Sequence, residues 1–139
     1  MASGALLHEK LTESIIGGFF EVYNYHGYGF NEKAYANSME LELKRRGHQV
    51  EREVPFVIPY LGVPVGLYKC DMVIDGLVVV EIKAGELLPA SSKRQLFNYL
   101  RVSRKSVGLL LHFGPEPKFY RQINTPESTD QPPTNAVPQ

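Results

Sequence analysis

Cys70-Asp71-Met72-Val73-Ile74-Asp75-Gly76-Leu77-Val78-Val79-Val80-Glu81-Ile82-Lys83-Ala84 is the stretch whose parity decides the fold. Cys70, Met72 and Ile74 alternate with Asp71 and Val73; Val78, Val80 and Ile82 alternate with Val79, Glu81 and Lys83. The pattern predicts two strands, 66–74 and 77–84, joined around Asp75-Gly76. With a plain two-residue turn, Ile74 would pair with Leu77 and Asp71 with Val80, and both faces would mix polar and buried groups. A three-residue connection, or one bulge, shifts the parity by one. All six apolar side chains then share one face, and Asp71, Glu81 and Lys83 share the other. A one-residue slip flips the whole set, so the hydrophobic pattern selects the odd connection. Gly76 suits the left-handed position of a G1 bulge.

The expectation is two carboxylates and one ammonium on one sheet face. Side-by-side carboxylates repel, and one holds a proton unless a cation lies between them. A hard divalent ion such as Mg²⁺ resolves this with oxygen ligands and retained waters. Such an ion lowers the pKa of a water and stabilises charge on a phosphorane, and Lys83 can orient the attacking water. A solvent-facing sheet with an Asp–Lys or Glu–Lys ion pair leaves the same spacing, so the spacing alone does not separate the two readings.

Upstream, Leu6, Leu7, Leu11, Ile15, Ile16, Phe19, Val22 and Tyr23 recur at helical spacing over about 5–25, with Gly17-Gly18 open to close packing. Asn31 is placed to cap a helix from Glu32 to Arg46, with Gly47 as its stop. Val50 to Tyr60 alternates as a strand, and Pro55 and Pro59 push it to a sheet edge or a bulge. Leu61-Gly62-Val63-Pro64 reads as a turn. Downstream, Ser91 can cap a helix to Ser103 with Leu96, Tyr99 and Leu100 inward; Ser106 to Phe113 is a buried strand, and Phe119 to Ile123 a short last one. After Asn124 the chain is rich in Pro, Ser, Thr and Gln, the composition of a disordered tail. The organisation expected is one domain over 1–123 and a tail over 124–139, without internal repeats.

At 139 residues, with 43% hydrophobic and 22% charged side chains, the composition fits one soluble globular domain. Fifteen basic and fifteen acidic residues cancel, which counts against strong nonspecific nucleic-acid binding. The basic residues are uneven, however: Lys44-Arg45-Arg46, Lys93-Arg94, Arg101 and Arg104-Lys105 are either contact patches or solvated helix faces. A single cysteine, Cys70, excludes an internal disulfide and fits a reducing compartment. No apolar run is long enough for a bilayer, and Met1 to Ala5 lacks the basic start of a signal peptide, so a cytoplasmic location is expected. There is no glycine-rich phosphate loop, which excludes a P-loop or Rossmann nucleotide enzyme. Nothing pairs His26 or His112 with a nucleophile.

Gly29-Phe30-Asn31-Glu32-Lys33-Ala34-Tyr35 resembles the Gly-x-x-Glu-x-x-Tyr signature of a group within the PD-(D/E)XK nuclease superfamily. Glu42-Leu43, Val50-Glu51-Arg52-Glu53, Tyr60-Leu61-Gly62, Tyr68-Lys69-Cys70-Asp71 and Val80-Glu81-Ile82-Lys83-Ala84 follow in that group's order. Gln95-Leu96-Phe97-Asn98-Tyr99 resembles the Gln-x-x-x-Tyr helix motif of RecB-like nucleases, and Val107 to Leu111, Phe113-Gly114 and Arg121 resemble the group's closing strand and tail. The resemblance covers about residues 11–123. It implies an α/β, restriction-endonuclease-like core, a central mixed sheet flanked by helices. It also implies Mg²⁺-dependent phosphodiester hydrolysis, with Mn²⁺ as a substitute. Asp71, Glu81 and the Ile82 carbonyl would be ligands, and Glu32 would reach the metal directly or through water; compensation of the helix dipole explains Glu32 equally. Lys83 and Gln95 would act on the water or the substrate phosphate. Tyr35, Tyr99, Lys69 and Arg121 would be substrate contacts, the tyrosines chiefly packing with a hydroxyl towards the site. Departures are Lys69 where Arg is usual, Cys70 where a small residue is usual and His112 where Asn is usual. DNA as substrate is an analogy with the superfamily. A homodimer or a protein partner is compatible, and so is a non-catalytic binding or assembly module on the same fold.

Overall fold

A computed structural model describes residues 7–125. Its elements are α1 (Glu9–His26), α2 (Glu32–Arg45), β1 (Val50–Tyr60), β2 (Val63–Ile74), β3 (Val78–Ala84), α3 (Ser92–Ser103), β4 (Val107–Phe113) and β5 (Pro117–Ile123). The strands form one sheet in the order β1-β2-β3-β4-β5. β3 and β4 run parallel, from Val78 opposite Val107 to Ala84 opposite Phe113, with α3 as the crossover; the other pairs are antiparallel. Ile15, Phe19, Met39 and Leu43 of α1 and α2 pack on Met72, Ile74, Val80, Leu109 and Leu111. Leu96, Tyr99 and Leu100 of α3 pack on Val73, Val79 and Leu110 of the opposite face. The fold is therefore α/β, a mixed sheet between helices, as the PD-(D/E)XK-like reading expects. Among the described residues no helix is long and apolar enough to cross a membrane. The expected tail lies outside the described residues from 126 onward.

The connection between β2 and β3 is odd, as the hydrophobic parity demands: Ile74 pairs with Val78, Val73 with Val79 and Met72 with Val80. Its chemistry differs from a G1 bulge with a single left-handed glycine. Asp75 and Gly76 both take positive φ, 54° and 69°. The Leu77 N–H donates to the Ile74 carbonyl at 2.9 Å, so a type I′-like turn closes and Leu77 is the extra residue. Asp75 tolerates that conformation because its carboxylate is braced: Oδ1 accepts from the Gln49 N–H, and Oδ2 lies 2.9 Å from His48 Nδ1.

One of the six apolar residues departs from the expected face. Cys70 packs with Val73, Val79 and Tyr99 on the α3 side. Glu53 in β1, at φ 51°, interrupts the ladder opposite Asp71, between the Arg52–Met72 and Val54–Cys70 pairs. The strands twist through that step and the inward face changes sides. Leu61 and Gly62, both at positive φ, make a two-residue turn between Tyr60 and Val63, so Val63 and Pro64 belong to β2 rather than to the turn. β1 is an edge strand with an irregularity at Ile58/Pro59, where the prolines place it. Asn31 caps α2 through a bond from the Ala34 N–H at 2.9 Å, whereas the Ser91 side chain makes no cap bond to α3.

Two glycines set how closely the layers approach. A Cβ on Gly18 would lie 3.2 Å from Glu42 Cγ and 3.3 Å from Leu43 Cδ2, so Gly18 lets α1 meet α2. A Cβ on Gly108 would lie 2.8 Å from Leu96 Cδ1 and 3.3 Å from Leu100 Cδ2. Gly108→Val is expected to destabilise by about 1–3 kcal/mol through overpacking. Urea denaturation checks this, and an unchanged midpoint would mean that α3 docks more loosely.

Candidate active site

β2 and β3 stop pairing beyond Met72 and Val80. Regular continuation would set Asp71 opposite Glu81. Instead the backbones part and the two side chains fill the fork: Glu81 Oε2 accepts from the Asp71 N–H at 3.0 Å, and Asp71 Oδ2 accepts from the Ile82 N–H at 2.7 Å. Each carboxylate stands in for a missing ladder carbonyl, which fixes its position without any flexible loop.

The electrostatics of the fork are unfavourable by themselves. Glu81 is 6% exposed, and burial, then the Asp71 charge, pushes its carboxyl up to about 8. Burial also raises Asp71, opposed by the Ile82 N–H and reinforced by the Glu32 charge. The positive charge of Lys83 acts against the rise at both carboxylates. Glu32, in the first turn of α2, accepts from the Ala84 N–H at 3.3 Å and so ties that helix to the end of β3. A cavity of about 240 Å³ opens beside the fork, lined by Glu32, Lys33, Arg52, Glu53, Asp71 and Ile82. A larger one, about 320 Å³ between α1 and α2, shares no residue with it and holds none of the fork carboxylates.

Among the described residues no group of three or more His, Cys, Asp or Glu is arranged to hold a metal ion. Mg²⁺ does not require one: it is commonly held by one or two carboxylates while keeping several waters. Asp71, Glu81 and the Ile82 carbonyl have the right oxygen chemistry for that demand.

The other candidates divide. Tyr99 is buried, and its hydroxyl donates to the Lys69 carbonyl at 3.1 Å. Burial, then the Glu81 charge, raises its pKa well above the ordinary phenol range, which puts Tyr99 beside the fork. Gln95 lies one turn earlier on the same side of α3 and is half-buried. The Lys69 side chain is exposed. Tyr35 differs from expectation: its ring stacks on Phe113 at 4.1 Å, and its hydroxyl donates to the Gly27 carbonyl at 2.6 Å, towards the 27–30 loop rather than the carboxylates. Arg121 is engaged elsewhere, donating to Thr12 Oγ1 and the Leu7 carbonyl, which fastens β5 to the start of α1.

The basic clusters are largely committed. Lys44 pairs with Glu40, and Arg45 and Arg46 with Glu42; Lys93 lies over the Tyr120 ring, and Lys105 donates to the Gly76 carbonyl. His26 bonds Ser38, and buried His112 bonds the Gly85 carbonyl, so both histidines serve packing. Burial, then the Glu81 charge, pushes the Cys70 thiol up to about 12, which makes it inert as a nucleophile. Sequence reasoning passed over Arg52. It lines the cavity, offsets the Asp71 charge and is held by Glu40 at 2.7 Å and Asn37 at 3.1 Å. The signal was a basic residue at an inward position of β1, in step with Val50.

A sequence profile of the PD-(D/E)XK nuclease superfamily matches residues 9–124, every element of the fold. No curated protein matches the sequence. Among solved structures, the crystal structure of SSO0001 is similar with a TM-score of 0.52 and 24% identity, covering 70% of this chain and 52% of that one. That likeness is one of fold, and this chain spans about half the length of that protein.

Proposed function

This chain belongs to the PD-(D/E)XK nuclease superfamily, and on that footing we propose that it is a Mg²⁺-dependent nuclease hydrolysing phosphodiester bonds in DNA. The observation that carries the reading is the reciprocal Asp71–Glu81 fork. Burying two adjacent carboxylates is costly, and well-packed apolar residues would serve a purely structural sheet better. Gly29, Glu32 and Tyr35 support a place for it within the Gly-x-x-Glu-x-x-Tyr group.

Asp71, Glu81 and the Ile82 carbonyl would hold the ion, with Glu32 as an outer ligand and Mn²⁺ an acceptable substitute. Bound there, the ion supplies Lewis-acid stabilisation and a water of lowered pKa. Lys83, two residues after Glu81 on β3, orients the attacking water and offsets the carboxylate charge. Gln95 positions the substrate phosphate or its waters, and exposed Lys69 meets the backbone further out. Tyr99 holds the fork side of α3 against the Lys69 backbone. A buried, unpaired Cys70 fits a reducing compartment, and the cytoplasm is the location proposed.

A non-catalytic binding module is the second reading. One observation favours it: both carboxylates accept backbone N–H bonds, as a purely structural clasp at a sheet end would. The test is cleavage of linear and circular, single- and double-stranded DNA with Mg²⁺ or Mn²⁺, beside calorimetric titration of the metal. Metal-dependent cleavage is expected. Folded protein that neither cuts nor binds the ion would establish the module instead.

A further inference from the structure

Beyond Cys70, β2 has β1 as its only strand partner, because its pairing with β3 covers just Met72, Val73 and Ile74. The two strands therefore leave the sheet as a ribbon. Its base is covered on one side, where Val54, Phe56 and Tyr68 pack with the α3 cluster. Its outer part is bare: Val57, Tyr60, Leu61, Val63, Val65 and Leu67 are between 50% and 69% exposed. From Val54 to Tyr68 there is no Asp, Glu, Lys or Arg. A two-stranded ribbon with open apolar side chains is marginal in water by itself.

We propose that this ribbon is the interface with a second copy of the chain. Three arguments select that occupant. The first is charge. A nucleic acid would bring phosphates to a segment without one cation to meet them. A two-fold interface instead sets a patch against itself, where charge repels and an uncharged apolar patch is complementary. The second is area. Six side chains half or more open present on the order of 600 Å² per copy, approaching the roughly 800 Å² per partner of a standard interface and at the upper end of the largest apolar patch on a typical monomer. The third is the edge. Pro55 and Pro59 lack the N–H groups that edge-to-edge pairing needs, so the faces of the ribbon rather than its β1 edge make the contact. Residues 126–139 carry only Ala136 and Val137 as aliphatics and cannot supply an apolar cover of this size.

The proposal is independent of cleavage chemistry, and its test needs none. Sedimentation equilibrium of the full chain is expected to give twice the monomer mass in the micromolar range. Val65→Lys with Leu67→Lys should weaken dimerisation at least about 100-fold. Val65→Thr with Leu67→Thr, which adds no charge, should weaken it less. All these positions are solvent-facing, so far-UV circular dichroism should be unchanged in each variant. A wild-type monomer throughout that range would overturn the proposal, as would a dimer that both pairs leave intact. Loss of DNA affinity in the uncharged threonine variant, against a monomeric wild type, would overturn it in favour of a nucleic-acid contact.

Discussion

Asp71→Asn is expected to reduce metal-dependent cleavage by about 10³-fold or more, the scale of losing a principal electrostatic group at a reacting centre. The substitution is nearly isosteric. Its side-chain oxygen can still accept from the Ile82 N–H, which Asp71 Oδ2 meets at 2.7 Å, so the fork keeps its shape. What disappears is one of the two charges that make the fork a cation site. Calorimetric Mg²⁺ affinity should fall with the activity, while the melting temperature without metal should hold or rise, because the repulsion at Glu81 is relieved. That combination separates a lost ligand from a lost fold. Lys83→Met should also suppress turnover while leaving the ion bound, since its ammonium is assigned to the water rather than the metal. Wild-type cleavage by Asp71→Asn would sink the proposed mechanism outright.

The parts of this molecule that were legible in its sequence are those fixed by periodicity. Alternation in 70–84 chose an odd connection between β2 and β3, and the register of Ile74 with Val78 has it. Helical spacing and the Asn31 cap located α2 to within a residue of its end. Side-chain alternation assumes an unbroken strand, however, and β1 is broken at Glu53. No local pattern announces a positive φ at a glutamate, so the switch that sends Cys70 to the α3 side was hidden. The same limit applied to the site. Asp71 and Glu81 were placed on one face, but that they would open the ladder and occupy it depends on the divergence of two backbones. Tyr35 and Arg121 show a complementary limit. Their polar ends had closer partners, in the 27–30 loop and at the start of α1, which become visible only once the helices are packed. Arg52 was legible in principle, as a charge in step with inward-facing Val50.

Without metal, the protein should lose stability as pH rises from about 4.5 towards 8, and Glu81→Gln should abolish much of that loss. Unfolded, Glu81 gives up its proton near the ordinary value of 4.5; folded, burial and Asp71 keep the proton on to about 8. Between those values the folded state binds more protons than the unfolded state, so the slope of unfolding free energy with pH is negative. The contribution is unfavourable to folding above that window and absent below it. Asp71, raised in the same sense, adds to the slope at its acid end. Thermal melts in chelator at pH 5 and pH 8 measure the effect. At pH 8 Glu81→Gln should exceed the wild type by on the order of 2 kcal/mol, well under the full shift because the fork can open to water. Near pH 5 the two proteins should converge. Added Mg²⁺ should then raise the wild type, by the mass action of a ligand that binds only the folded state, and leave the glutamine variant behind. The two halves together bear on function: a carboxylate that weakens the fold when ionised and strengthens it when a cation arrives has its position explained by the cation. Equal pH profiles for the two proteins would remove that explanation and return the fork to the role of a sheet-end clasp.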